Sequence, residues 1–154
     1  MNVQEIWNEY INKYNEEKNK TYESWHFASD EKNANELAEL VVKGEKTATA
    51  SGLCFYEIEN EELPKVGSLS IVLDWDGNAK CIIKIAKVYT TPFNEVTEGH
   101  AFKEGEGDRT LAYWKLVHER FFSEGLNIYG KYFDESMMVV CEEFEVVWKN
   151  DSIR

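Results

Sequence analysis

Apolar positions near the start of the chain recur at helical spacing. Val3, Ile6, Trp7, Tyr10, Ile11 and Tyr14 form one stripe, which predicts a helix over roughly the first 16 residues. The polar run 15–21 ends it. Trp25, His26 and Phe27 then make an apolar patch in a predicted loop. Ser29 or Asp30 offers an N-cap, because a short side-chain oxygen can accept from a free helix N–H. Ala34, Leu37, Ala38 and Val41 define a second amphipathic helix, and Gly44 suits a left-handed stop. Beyond it the period changes. Residues 47–58 read as a strand interrupted near Gly52, and 59–67 as an acidic loop. Residues 68–74 and 81–89 read as two strands joined through the turn signal Asp76-Gly77-Asn78.

Pro92 and Phe93 mark a break, followed by a short helix over 97–103 and the glycine-containing acidic loop 104–109. Leu111, Trp114, Val117, Phe121 and Phe122 predict another helix, capped by Thr110 or Asp108. A loop containing Gly125 and Gly130 follows. Val140, Phe144, Val146 and Trp148 alternate with Cys141, Glu143, Glu145 and Val147 in a last strand. Residues 150–154 read as a frayed tail. The expected fold is α+β: mostly antiparallel strands curled into a barrel and flanked by helices. No repeat or linker divides the chain, so one domain is expected over residues 1–154, with 1–20 as a helical extension.

Composition narrows the function. The formal net charge is −12, with 29 acids against 17 Lys and Arg. A salt-sensitive grip on duplex DNA needs many cations on one face, so duplex DNA is not an expected partner. Cys54, Cys81 and Cys141 are odd in number and lack zinc-ligand spacing, which reads as free thiols in a reducing cytoplasm. The first ten residues lack the basic-then-apolar order of a signal peptide. No apolar run reaches the about 20 residues needed to cross a bilayer. No cofactor signature is present, and nothing in the residue pattern fixes an oligomeric state.

Two segments carry candidate chemistry. In Gly44-Glu45-Lys46-Thr47-Ala48-Thr49-Ala50-Ser51, extended backbone puts Thr47, Thr49 and Ser51 on one face and Lys46 on the other. A turn at the strand start can bring Lys46 towards Thr49. The segment reads either as a polar pocket wall or as a solvated strand start. In the second segment Glu104, Glu106 and Asp108 alternate with two glycines, which allow close backbone approach to a ligand. The acids suit either a hard cation or the N-terminus of the next helix, but the calcium-loop pattern is not matched. His26, His100 and His118 form no recognisable cluster. Trp25 and Trp75, in predicted loops, are candidates to stack a base, whereas Trp114 belongs to an apolar helical stripe.

The ordered set of segments resembles the ASCH domain family. GEKTATAS looks like the family's G-x-K-x-x-T signature. The likeness continues through LPKVGSLSIVLD, CIIKIAKV, PFNEVTEGHAFKEGEGDR, TLAYWKLVHERFF and VVCEEFEVVW, over roughly residues 22–148. The resemblance implies a fold similar to the RNA-binding PUA domains, with a cleft beside the first helix–strand junction. It also implies a larger bacterial subgroup marked by KTATAS and EGEGDR. Some small members hydrolyse the amide of acetylated cytidine, and others are described as ribonucleases. The Lys, Thr and Glu of the hydrolytic members match Lys46, Thr49 and Glu104, the last through the pattern T-E-x-H-A-x-x-E. Those members carry Arg two residues after the Thr, where this chain has Ser51, so a planar cation is missing from that wall. Arg109 is a candidate to replace its charge. Thr47, Ser51, Trp25, Glu106, Asp108 and Arg109 are the candidate substrate-binding residues.

Three functional readings follow. The first is hydrolysis of an acetylated cytosine base or nucleoside by Lys46, Thr49 and Glu104, with Thr49 as the nucleophile or as the group that positions the attacking water, Glu104 carrying a proton to the leaving amine, and the identity of the base left open. A Lys base must first lose its proton, which burial favours and a neighbouring carboxylate opposes. The second is a module that binds a nucleoside or short RNA without turnover. The third is RNA cleavage assisted by a metal at Glu104, Glu106 and Asp108.

Overall fold

The structure, a computed structural model, describes residues 1–149, so the tail expected at 150–154 lies outside the described residues. Helix α1 (Val3–Lys13) is capped by the Asn2 side chain, which accepts from the Glu5 N–H, and buries Ile6, Trp7 and Tyr10. Strand β1 is Tyr22–Trp25. Helix α2 (Glu31–Val42) starts at Asp30, one of the two expected caps, and Gly44 follows it at φ +80°. Strand β2 (Ala48–Gly52) leads straight into helix α3 (Leu53–Ile58). Strands β3 (Leu69–Leu73) and β4 (Ala79–Pro92) form the expected hairpin, with Gly77 at φ +87° in its turn. Helix α4 (Glu98–Glu104) is capped by Thr97, and α5 (Leu111–Ile128) by Thr110. Strand β5 (Met138–Lys149) closes the described chain. No helix among the described residues is long and apolar enough to cross a membrane.

The five strands form one mixed sheet in the order β1-β3-β4-β5-β2. Among the described residues only the β1–β3 pair is parallel. The sheet does not close into the expected barrel: β1 and β2 lie at opposite edges. They have four and five residues against fourteen in β4, too little edge to complete a cylinder. The sheet is nevertheless curled. Register shifts after Ile82 and between Ile85 and Lys87 add twist to the long β4–β5 ladder. Glu23 on β1 and Glu142 on β5 interact electrostatically. In a flat sheet, spacings of about 4.8 Å would hold strands three apart at about 14 Å. These two leave the same face of the sheet, the face on which α2 packs.

Alternation assigns the helices to faces. Along β3, Leu69 and Ile71 pack with Ile6, Trp7 and Tyr10 of α1. Val72 points the other way and joins Ala38, Val41 and Val42 of α2, Phe144 of β5 and the half-buried Trp25 and Phe27. A third cluster joins Phe93, Val96 and Ala101 to Trp114 and Phe122 of α5, against Val139 and Cys141 of β5. Cys81 and Cys141 are buried, Cys54 is half-buried, and all three are free thiols.

Three further expectations are corrected. Trp25 belongs to a strand, because its backbone pairs with Val72. Residues 53–58 are helical: Phe55 turns back over Gly52 and reaches Gly125, where a β-carbon would lie 2.8 and 2.9 Å from its ring. Gly125 is inside α5 rather than in a loop, and its missing side chain is what admits that ring.

Candidate functional site

Gly44 reverses the chain at the end of α2, and the Leu40 carbonyl accepts from both Glu45 N–H and Lys46 N–H. This tight exit aims Lys46 inward. Its side chain is 1% exposed, although an ammonium is rarely buried without partners. Nζ donates to the Ala48 carbonyl at 2.9 Å and to Glu106 Oε2 at 3.1 Å, and lies 3.4 Å from Glu104 Oε1. The Phe27 ring lies 5.3 Å away. The expected turn is present: Lys46 folds back to the carbonyl that precedes Thr49.

Glu104 ends α4 and is also 1% exposed. Four donors surround its carboxylate. Oε2 accepts from Trp114 Nε1 at 2.5 Å and faces His100 Nε2 at 2.7 Å. Oε1 faces Lys46 Nζ and His118 Nε2, each at 3.4 Å. Burial alone would push this carboxyl up. The Lys46 charge and the hydrogen bonds from His100 and His118 outweigh burial and hold it well below its ordinary value. His118 Nδ1 also donates to the Trp114 carbonyl at 2.9 Å, so both ring nitrogens face acceptors. His100 Nδ1 meets the Tyr89 hydroxyl at 3.4 Å.

Two sequence expectations change here. His100 and His118 do converge, on Glu104. Their signal was present as two i, i+4 pairs, His100 with Glu104 and Trp114 with His118, each lying on one helix face. Gly105 does allow close backbone approach, but to this chain's own backbone. At φ +73°, a β-carbon on Gly105 would lie 2.3 Å from the Glu45 carbonyl oxygen.

The remaining candidates divide between this network and its surroundings. Glu106 joins it through Lys46. Asp108 does not: its carboxylate holds Thr110, the cap of α5, by accepting from the Thr110 N–H and hydroxyl. Arg109 is used as a clamp. It donates to the Phe102 and Glu45 carbonyls, with its guanidinium 3.8 Å over the Phe102 ring. Thr47 is half-buried, and its hydroxyl lies 3.4 Å from the Lys103 carbonyl. Trp25 packs edge-on against Phe27, with ring centres 4.9 Å apart. Ligand atoms of Glu104, Glu106 and His118 lie within 4.8 Å of one another, the spacing of a cation site. The Lys46 ammonium, at 3.4 and 3.1 Å from the two carboxylates, already supplies a positive charge there.

A second group lies on the sheet face that carries α2. Thr49 stands directly opposite Glu142 across the β2–β5 ladder, so the two side chains leave the same face. Thr49 is half-buried, and its hydroxyl has no hydrogen-bond partner among the described residues. Ser51, two residues on, shares a 2.8 Å hydrogen bond with the Tyr56 hydroxyl of α3. Glu142 is half-buried and has no hydrogen-bond or ion-pair partner among the described residues. Burial, then the charges of Glu23 and Glu104, push its carboxyl up to about 7. Sequence reading passed over Glu142, because only the strand register shows which residue faces Thr49. A cavity of about 310 Å³ opens beside the helix–strand junction, lined by Val41, Gly44, Lys46, Thr47, Phe144 and Lys149 among others. Its wall stops at Thr47, short of Thr49 and Glu142.

Comparisons with known proteins show the family. The ASCH domain model matches residues 23–148. The chain is similar to the crystal structure of an ASCH domain from Lactobacillus crispatus JV V101. The identity is 39%, the match covers 94% of this chain and 92% of that one, and the TM-score is 0.89. It is also similar to a protein of Enterococcus faecalis V583, at 38% identity over 94% of this chain and 87% of that one, with a TM-score of 0.85. No curated protein matches. With the family model spanning most of the chain, and the helix–strand junction and acidic loop meeting at one buried network, this chain belongs to the ASCH domain family.

Proposed function

We propose that this protein recognises an RNA-derived base or nucleoside on the sheet face beside Thr49, and that it hydrolyses the amide of acetylated cytidine. Its KTATAS and EGEGDR segments mark a larger subgroup of the family. The observation that carries the reading is the opposition of Thr49 and Glu142. An unpartnered hydroxyl faces an unpartnered carboxyl, at the edge of a buried network in which Lys46 and Glu104 fix the local charge. Clusters of perturbed titratable groups are characteristic of functional sites. Lys46, Thr49 and Glu104 are the residues on which the family's hydrolytic chemistry would rest, with Thr49 positioning the attacking water. Ser51 and Tyr56 then border the ligand in place of the family's Arg.

The test is incubation with acetylcytidine and with acetylcytosine, followed by chromatography of the deacetylated product, with Thr49→Val as control. Turnover in the native protein that falls at least tenfold in Thr49→Val is expected. No turnover by folded protein overturns the hydrolytic reading.

One observation favours a second reading, a nucleoside- or RNA-binding module without turnover. Every polar atom of the Glu104 carboxylate is already satisfied, so the network is stable as it stands. Saturable binding of a nucleoside or short RNA with no product on long incubation supports it.

A further inference from the structure

Any amide hydrolysis at this site needs a group that accepts a proton and gives it back. By family likeness that group would be Glu104. The geometry argues otherwise. Glu104 is 1% exposed, and both its oxygens are occupied by Trp114, His100, Lys46 and His118. An incoming water would have to displace one of these donors, at the cost of exposing a buried, unmatched charge. Glu142 has the opposite character. It is half-buried, has no hydrogen-bond or ion-pair partner among the described residues, and stands opposite Thr49 across the β2–β5 ladder.

We propose that Glu142 is the proton-transferring catalytic residue of this site and that Glu104 is an anchor that holds Lys46 in place. The inference rests on the hydrolytic reading above. The Glu142 carboxylate takes one proton from a water positioned by Thr49. The water oxygen bonds to the acetyl carbon while the carbonyl π pair moves onto the carbonyl oxygen. As that pair returns, the C–N bond breaks, its electrons go to the cytosine exocyclic nitrogen, and Glu142 delivers the proton there. The products are the free amine and acetic acid, which ionises to acetate. No redox partner or metal is required.

The surroundings suit that role. Glu23 from β1, Glu104 from α4 and the Tyr56 phenol from α3 all face Glu142. On its own strand Cys141 and Glu143 flank it, and across β4 its neighbour is the uncharged Val88. Burial, and then the charges of Glu23 and Glu104, push the carboxyl up to about 7. A proton shuttle is most effective when it titrates near the working pH.

The test compares steady-state deacetylation of acetylcytidine by the native protein, Glu142→Gln and Glu142→Asp, from pH 5 to 9, with folding checked by thermal melting. In the native protein kcat/KM rises with pH through a value near 7, as the base form appears. Glu142→Gln lowers kcat by about 100-fold or more with little change in KM, since general acid–base groups typically contribute 10²–10⁴. Glu142→Asp retains part of the activity and the same rising limb. Native turnover with an unchanged rate and pH profile in Glu142→Gln overturns the assignment of Glu142 while leaving the hydrolytic reading intact. No turnover by the native protein overturns both.

Discussion

At the scale of residues, two carboxyls within one electrostatic neighbourhood are driven in opposite directions. Burial acts on both, but Glu104 is met by Lys46, His100 and His118, whereas Glu142 is met by the charges of Glu23 and Glu104. Their contributions to stability therefore slope oppositely with pH. Glu104 titrates lower when folded than when unfolded. Its contribution is present above the ordinary carboxylate range and is lost as pH falls through its folded value. Glu142 titrates higher when folded, so the folded state binds the extra proton, and stability falls as pH rises from its ordinary value to about 7. Glu142→Gln is expected to remove that decline. At pH 8 it should stabilise the protein by on the order of 1–3 kcal/mol, measured by urea unfolding, while leaving the acid limb in place. A drop in stability at pH 8 would contradict this account of Glu142. Lys46 and Glu104 were legible in the sequence because their types and spacing match a motif. Glu142 was not, because its role depends on which strand lies beside β2.

At the scale of elements, the site depends on two glycines that differ in kind. Both Gly44 and Gly105 have left-handed backbone, at φ +80° and +73°. Gly44 has nothing within 4 Å of where a β-carbon would stand, whereas at Gly105 the Glu45 carbonyl oxygen is 2.3 Å away. Gly44→Ala is expected to cost about 1–2 kcal/mol from backbone conformation alone. Gly105→Ala adds a steric clash that separates Lys46 from Glu104, with an expected cost of about 3 kcal/mol or more. Thermal melting of the two variants, side by side, checks the order. The caps at Asp30 and Thr110 could be read from sequence, each as one of two candidates, because capping is local chemistry. Helix α3 could not. Leu53, Phe55, Tyr56 and Ile58 favour a strand locally, and the contact of Phe55 with the distant Gly125 decides otherwise.

For the whole molecule, curl rather than closure organises the site. The alternation along the strands was correctly readable as a sheet with helices on its faces, but whether its edges meet is a matter of strand length and register. The parallel pairing of Tyr22–Trp25 with Leu69–Val72 joins segments more than 40 residues apart, and no local signal announces it. That pairing places Glu23 and Trp25 on the face that carries Glu142. Helix α2 packs on this face through Ala38, Val41 and Val42, and Tyr56 of α3 reaches it at Ser51.

The burial of Lys46 also makes it a clock. Amine-directed reagents acylate lysines only where the nitrogen is reachable, and this ammonium is screened by the loop that follows α4. In native protein, Lys103 and Lys65, both substantially exposed, should label rapidly, while Lys46 labels only during moments when residues 104–109 lift away. Peptide mass spectrometry over a labelling time course would then report the frequency of that opening. A bound ligand that slows the Lys46 reaction without slowing the others would show that the loop and the face beside Thr49 move together. Equal labelling rates at Lys46 and Lys103 would mean that the loop is open for most of the time.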